Sequence, residues 1–170
     1  DYAFCDNRLT ELDIPGSVAR VGRHAFRNNK LTTIVISLGL RSIEEYAFFG
    51  NQLTELAIPG SVTTIGDYAF SGNQLRTLVI PAGVTGIGEF AFSDNQLESV
   101  EIPAGIENIG DAAFSGNRIT RIKIEAGYTI SSGATFGFYG SAFRDLYTSN
   151  GGQAGVYTCD METESWRREP

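Results

Sequence analysis

The stretch DYAFSGNQLRTLVIPAGVTGIG, residues 67–88, decides the fold, because almost the same wording stands 22 residues before it and 22 residues after it. Phe recurs at 4, 26, 48, 70, 92 and 114, each time preceded by Ala, and Asn follows at 7, 29, 51, 73, 95 and 117. Ile recurs at 14, 36, 58, 80, 102 and 124, and a further apolar pair at Val18/Val21, Leu40/Ile43, Val62/Ile65, Val84/Ile87 and Ile106/Ile109. A fixed period of this length means a solenoid whose coils stack and bury one continuous core.

Inside each coil the segment around Glu11-Leu12-Asp13-Ile14 alternates polar and apolar, which is strand periodicity. Equivalent strands one coil apart are then parallel and about 4.8 Å from each other. Pro15, Pro59, Pro81 and Pro103 follow the strand, where the missing N–H is expected to do least harm to the ladder. Glycines and serines turn the chain to the opposite wall, where V-x-x-I-G is too short for an α-helix and predicts a short strand or 3₁₀ turn. The Phe column fills the middle of the coil. The Asn column reads as inward-pointing amides that satisfy backbone groups of their own and the adjacent coil, rather than as a ligand-binding ladder.

These residues resemble the BspA-like leucine-rich repeat, also called the Treponema pallidum type. Its pattern runs Ala-Phe, a small polar residue, L-x-x-L-x-I-P, then V-x-x-I-G, and the likeness covers residues 1–124. Two departures stand out: the family repeat is commonly 23 residues with Cys in the ladder position, against 22 with Asn here. The resemblance implies a parallel solenoid in an exported bacterial protein, at the cell surface, secreted or periplasmic. It further implies adhesion to other proteins, host proteins included, by a module that is not an enzyme.

The fold class expected is therefore a β-rich parallel solenoid over residues 1–130, six repeats and a degenerate coil, with a capping segment over 131–170. The repeat decays after Ile124: Glu125 replaces proline, Tyr128 takes the Val position, and Tyr139 stands where the next Asn belongs. Phe136, Phe138, Phe143, Tyr147, Tyr157 and Trp166 read as the core of a C-terminal cap that ends in a β-hairpin. An open solenoid end exposes core and strand edges, so it needs such a cover. Its AG-x-Y-T…W ending is similar to that of treponemal members. An aromatic ligand pocket or glycan site in the cap is the competing reading. The first residues start partway around a coil, so that end is expected to be truncated or to meet another domain or copy.

Composition narrows the function. A net charge of −7 and a pI near 4.7 leave no basic face for nucleic acid. No apolar run approaches the roughly 18 residues of a membrane span. The single histidine, His24, occupies the aromatic column Tyr2/His24/Tyr46/Tyr68/Phe90/Ala112 and reads as a substitute ring, not as a catalyst or ligand. Cys5 and Cys159 are some six coils apart, far beyond the roughly 7 Å a disulfide allows, and no Cys/His spacing matches a zinc site. The G-x-G-x-x-A within GVTGIGEFAF, residues 83–92, consists of repeat positions and lacks a βαβ unit. No sequon or calcium-loop motif occurs, and no cofactor is expected.

What remains is a surface. The outward positions of the strands form two files: Glu11, Thr33, Glu55, Thr77, Ser99, Arg121, and Asp13, Val35, Ala57, Val79, Glu101, Lys123. The first coil is acidic, the sixth basic, and Val35, Ala57 and Val79 form a non-polar strip between them. Valine is a good strand former, which alone accounts for such residues. The sharper reading is a partner-binding face with charged ends that orient a host or bacterial-envelope protein. Self-assembly through the strip and the first coil is the alternative.

Overall fold

The structure is a computed structural model that describes residues 1–125, 135–136 and 140–170. Coils 1 to 6 take their numbers from the six recurring strand segments on what is here called the front wall. Strands form there at β1 (Glu11–Ile14), β3 (Thr33–Ile36), β7 (Ser99–Ile102) and β9 (Arg121–Ile124), in coils 1, 2, 5 and 6. The back wall carries β2 (Arg20–Val21), β4 (Ser42–Ile43), β5 (Thr64–Ile65), β6 (Gly86–Ile87) and β8 (Asn108–Ile109). These five pair in parallel, in the order β2-β4-β5-β6-β8, so V-x-x-I-G forms strands of two residues. The glycine closing that motif is sterically required at Gly110, where a Cβ would stand 2.4 Å from the backbone nitrogen of Glu89.

The third wall is a stack of turns. His24, Phe26 and Asn28 donate their N–H groups to the carbonyls of Glu45, Ala47 and Phe49 in the next coil, at 2.9, 2.9 and 2.8 Å. The same trio recurs as Tyr68, Phe70 and Gly72 on Glu89, Ala91 and Ser93. Each turn holds two left-handed residues. One column, Asp6, Asn28, Gly50, Gly72, Asp94 and Gly116, uses the residue types that tolerate positive φ. The other, Tyr2, His24, Tyr46, Tyr68, Phe90 and Ala112, puts mostly aromatic residues at φ between 54° and 56°. That conformation costs about 1–2 kcal/mol per residue. Stacking offsets much of it: Tyr2, His24, Tyr46, Tyr68 and Phe90 lie ring on ring with centroids 4.5 to 4.8 Å apart, each pair contributing about 0.5–1.5 kcal/mol.

The core follows the repeat. Phe4, Phe26, Phe48, Phe70, Phe92, Phe114 and Phe136 form a second ring stack with spacings of 5.3 to 5.6 Å. The Asn column lies beside it. Asn73 donates Nδ2 to the carbonyls of Phe48 and Phe70, both at 3.0 Å, and its Oδ1 accepts the N–H of Leu53 at 3.1 Å. Asn29, Asn51, Asn95 and Asn117 repeat the arrangement, which bears out the structural reading of these amides.

The front wall corrects one expectation. Proline after the strand is not harmless to the ladder. In coils 2 and 6 the residue there is Ser37 or Glu125, and its N–H donates to Ile14 or Ile102 of the coil before, both at 3.0 Å. Full four-residue pairing results, β1 with β3 and β7 with β9. Pro59, Pro81 and Pro103 have no N–H for the same bond. Coils 3 and 4 accordingly hold only the isolated bridges Ala57–Val79 and Val79–Glu101, and none joins β3 to coil 3.

After β9 the described chain forms α1 (Gly140–Ser149) and the antiparallel pair β10 (Gly155–Asp160) and β11 (Ser165–Arg168). Phe143, Leu146 and Tyr147 have helical spacing and lie on α1. β10 runs antiparallel on β9, extending the front sheet to β7-β9-β10-β11. Phe136 meets Phe143 edge-on at 5.2 Å, and Phe143 touches Tyr157 and Trp166, so the ring stack continues into the segment covering this end. Among the described residues these rings are buried against one another. Tyr128, Phe138, Tyr139 and the degenerate coil lie outside the described residues.

Candidate partner-binding face

The outward side chains of the front wall are set by register. Pairing of Glu11 with Thr33 and Asp13 with Val35, and of Ser99 with Arg121 and Glu101 with Lys123, keeps each file on one side of the sheet. Leu12, Ile34, Leu56, Leu78, Val100 and Ile122 alternate inward. Glu11, Asp13, Thr33, Glu55, Ala57, Thr77 and Glu101 are exposed, while Ser99, Arg121 and Lys123 are half-buried. Val35 is 60% exposed and Val79 is 73% exposed, so the two valines contribute nothing to the core.

The sheet face is longer than the twelve sequence positions. Thr158 lies opposite Arg121 and Val156 opposite Lys123, while Arg167 lies opposite Thr158 on the far side. Arg167 donates Nε to Thr158 Oγ1 at 3.4 Å. Val156, Thr158 and Arg167 thus continue both files, and Tyr157 and Trp166 point inward. The alternation in GVYTCD and SWRR carried this signal, once the hairpin is known to join the front sheet rather than close over it.

Charge runs along the face. Among the described residues Glu11 and Asp13 of the first coil and Glu55 of the third form no ion pair, so these carboxylates stand bare on the face. At the other end Lys123 bridges Glu101 at 3.1 Å and Glu125 at 3.3 Å. Hydrogen bonds to those two carboxylates hold its pKa above the ordinary lysine value. Among the described residues of this face, Arg121 and Arg167 are cations that form no ion pair. The opposite edge of the molecule is tied by Arg20–Glu44, at 2.9 Å, and by Arg23–Glu45.

Two depressions mark the front sheet. One of 310 Å³ is lined by Thr33, Ile34, Glu55, Leu56, Ala57 and Thr77. The other, of 270 Å³, is lined by Glu11, Leu12, Asp13, Thr33 and Val35. Elsewhere the polar groups have structural roles. His24 is 8% exposed, sandwiched between Tyr2 and Tyr46, and its Nδ1 has no hydrogen-bond partner. Burial, reinforced by the Arg27 guanidinium, holds its pKa below the ordinary histidine value. Both cysteines are free thiols. Desolvation pushes the pKa of Cys159 up, which keeps it a thiol rather than a nucleophilic thiolate. Among the described residues no three His, Cys, Asp or Glu side chains gather as metal ligands, and no helix is long and apolar enough to cross a membrane.

Comparison with known proteins gives the context of this geometry. The family described as BspA type leucine rich repeat region matches residues 1–120 and 63–150, in six copies. No curated protein matches. The chain is similar in fold to a leucine-rich repeat protein of Bacteroides ovatus, at 22% identity and a TM-score of 0.50, over 66% of this chain and 42% of that one. It is also similar to a leucine rich cell surface protein of Faecalibacterium prausnitzii, at 24% identity and a TM-score of 0.52, over 91% of this chain and 44% of that one. The chain spans less than half the length of either protein. With six copies of the repeat matched across most of its length, the chain belongs to the BspA-type leucine-rich repeat family.

Proposed function

We infer that the chain is a non-catalytic protein-binding module of an exported bacterial surface protein, and that the front sheet is its partner face. The observation that carries this reading is the exposed strip Val35–Ala57–Val79 between an acidic and a basic end. Apolar side chains at the centre of a patch drive association, and unlike charged ends fix its orientation. The described surface offers no constellation of acid, base and nucleophile to set against it.

Size bears on the partner. Eight front-wall segments, the six coils with β10 and β11, spaced about 4.8 Å and about 13 Å long give a projected face of roughly 440 Å², about half of the roughly 800 Å² per partner of a standard interface. The partner therefore reaches past the strip, over the corner where Leu38 is exposed beside Val35. Val35→Glu combined with Val79→Glu, on exposed positions, is expected to abolish capture of extracellular-matrix or envelope proteins with an unchanged circular dichroism spectrum. Undiminished capture removes the front sheet from consideration.

A second reading, self-association, draws on the same apolar strip, where Val35 and Val79 are exposed. Multi-angle light scattering decides it: a strict monomer at millimolar concentration rules it out.

A further inference from the structure

The geometry points to the parted front wall between coils 2 and 3 as a socket for one large apolar side chain, carried on a cationic, extended segment of a partner protein. The inference rests on the front sheet being the partner face and names the anchor within it.

The parting has a backbone cause. Gln52 donates its N–H to Leu31 at 2.9 Å and Gly39 donates its N–H to Ser61 Oγ at 3.1 Å; between these two bonds no bridge joins the front segments, and Pro59 has no N–H to offer Ile36. The corner also changes at this step, from Ser37-Leu38-Gly39 with Gly39 at φ +124° to Pro59-Gly60-Ser61. Coils 3, 4 and 5 lack the same bond yet are held by the bridges through Val79; coils 2 and 3 have none.

The consequence shows in the inward file. Leu78, Val100 and Ile122 are buried, whereas Leu12, Ile34 and Leu56, at equivalent positions, are only partly buried. Ile34 and Leu56 form the floor of the 310 Å³ cleft, and Ala57, small between Val35 and Val79, lowers its rim. That volume is at the bottom of the range of about 300–1,000 Å³ typical of small-molecule pockets, so it suits a single side chain better than a cofactor. Apolar floor this accessible to water gains free energy when a ring or branched chain covers it.

The rim supplies the sign of the charge. Glu55 stands on the cleft, and Glu11 and Asp13 line the adjoining depression, which shares Thr33 with it. None of the three carboxylates has a cation, whereas Glu44, Glu45, Glu101 and Glu125 each do. Lysines or arginines flanking the inserted residue meet this demand.

The test uses the 170-residue chain with methyl-labelled Ile, Leu and Val, titrated with the acetylated, amidated peptide Lys-Ser-Lys-Phe-Lys-Ser-Lys. Saturable shifts centred on the Ile34 and Leu56 methyls are expected, with at least tenfold weaker binding when Ala replaces the peptide's Phe. Pro59→Ser restores an N–H without removing any lining side chain, and is expected to weaken binding at least tenfold. Ala57→Trp, which fills the cleft from its rim, gives the same readout if the Pro59→Ser chain is unstable. Shifts at Val35 and Val79 without Ile34 and Leu56, or equal binding of the Ala peptide, overturn the socket and leave the face standing. Absence of shifts anywhere on the front sheet counts against both.

Discussion

Asn73 Oδ1 accepts the N–H of Leu53, one coil back, at 3.1 Å, and both residues are buried. The bond connects neighbouring coils at a point no β-ladder reaches. The same amide donates to the carbonyls of Phe48 and Phe70, which it shares with Asn51 and Asn95, so the column forms a continuous ladder of amides through the buried turns.

Asn73→Ala is therefore expected to be among the most damaging substitutions in the chain. Leaving the buried Leu53 N–H unpaired costs about 1–3 kcal/mol, and the Phe48 and Phe70 carbonyls each lose one of two amide donors, keeping Asn51 and Asn95. Asn7→Ala provides the control, because the Asn7 amide is exposed and donates only to Cys5, two residues away. Its cost should stay within about 0.5 kcal/mol, as for ordinary surface positions. Urea unfolding of the two variants measures the difference; equal midpoints would refute a structural role for the column.

The Phe column makes a parallel prediction. Phe70 is fully buried between Phe48 and Phe92, at 5.3 and 5.4 Å, whereas Phe4 at the first coil is half-exposed. Phe70→Ala should lower stability by about 3–5 kcal/mol, and Phe4→Ala by about half as much or less. Thermal unfolding with matched buffers tests the ranking.

Ser37→Pro separates local from global effects. It deletes the N–H that joins Ile14, a loss of about 0.5–1.5 kcal/mol. Proline already occupies this position in coils 1, 3, 4 and 5, so its ring fits, and restricting the unfolded chain returns about 0.4–1 kcal/mol. Global stability should shift by less than about 1 kcal/mol. Hydrogen exchange at the β1–β3 amides should nevertheless accelerate, because their ladder would resemble the parted one at coil 3. Unchanged exchange would detach the parting of the front wall from proline.

How much of this could be read beforehand depends on whether a feature repeats. The Phe, Asn and Ile columns announced core, amide ladder and strands, because six identical contexts leave one geometry that satisfies all of them. Features made by differences between coils were harder to see. The parted wall combines the N–H that Pro59 lacks with a change of corner from Ser37-Leu38-Gly39 to Pro59-Gly60-Ser61, and both act through contacts between neighbouring coils. Helix α1 and the join of β10 to β9 fall where the repeat ends, and there Phe143, Leu146 and Tyr147 gave only a short helical signal. Positive φ along the aromatic column was hidden because Tyr and Phe do not favour it.

The same column makes an acid-sensitive point. His24 is confined between Tyr2 and Tyr46 with Arg27 and Arg23 near it, and Glu45 and Asp6 opposing them; burial is the leading cause of its lowered pKa. The unfolded chain, with an ordinary histidine value of about 6.5, thus takes up a proton at higher pH than the folded one. Stability linked to His24 is complete above about pH 6.5 and declines as pH falls from there toward the lower folded value. This is the single histidine, and the lowered pKa of Asp6, hydrogen-bonded to Cys5 and Asn28, acts only in the carboxylate range. The window between about pH 5 and 6.5 accordingly belongs to His24. His24→Tyr, the residue found at 46 and 68 in the same stack, should flatten the urea midpoint across that window while the parent chain loses stability. A parent midpoint that stays level from pH 7.5 down to pH 5 would mean that the stack accepts the imidazolium, with the two tyrosine faces compensating for burial.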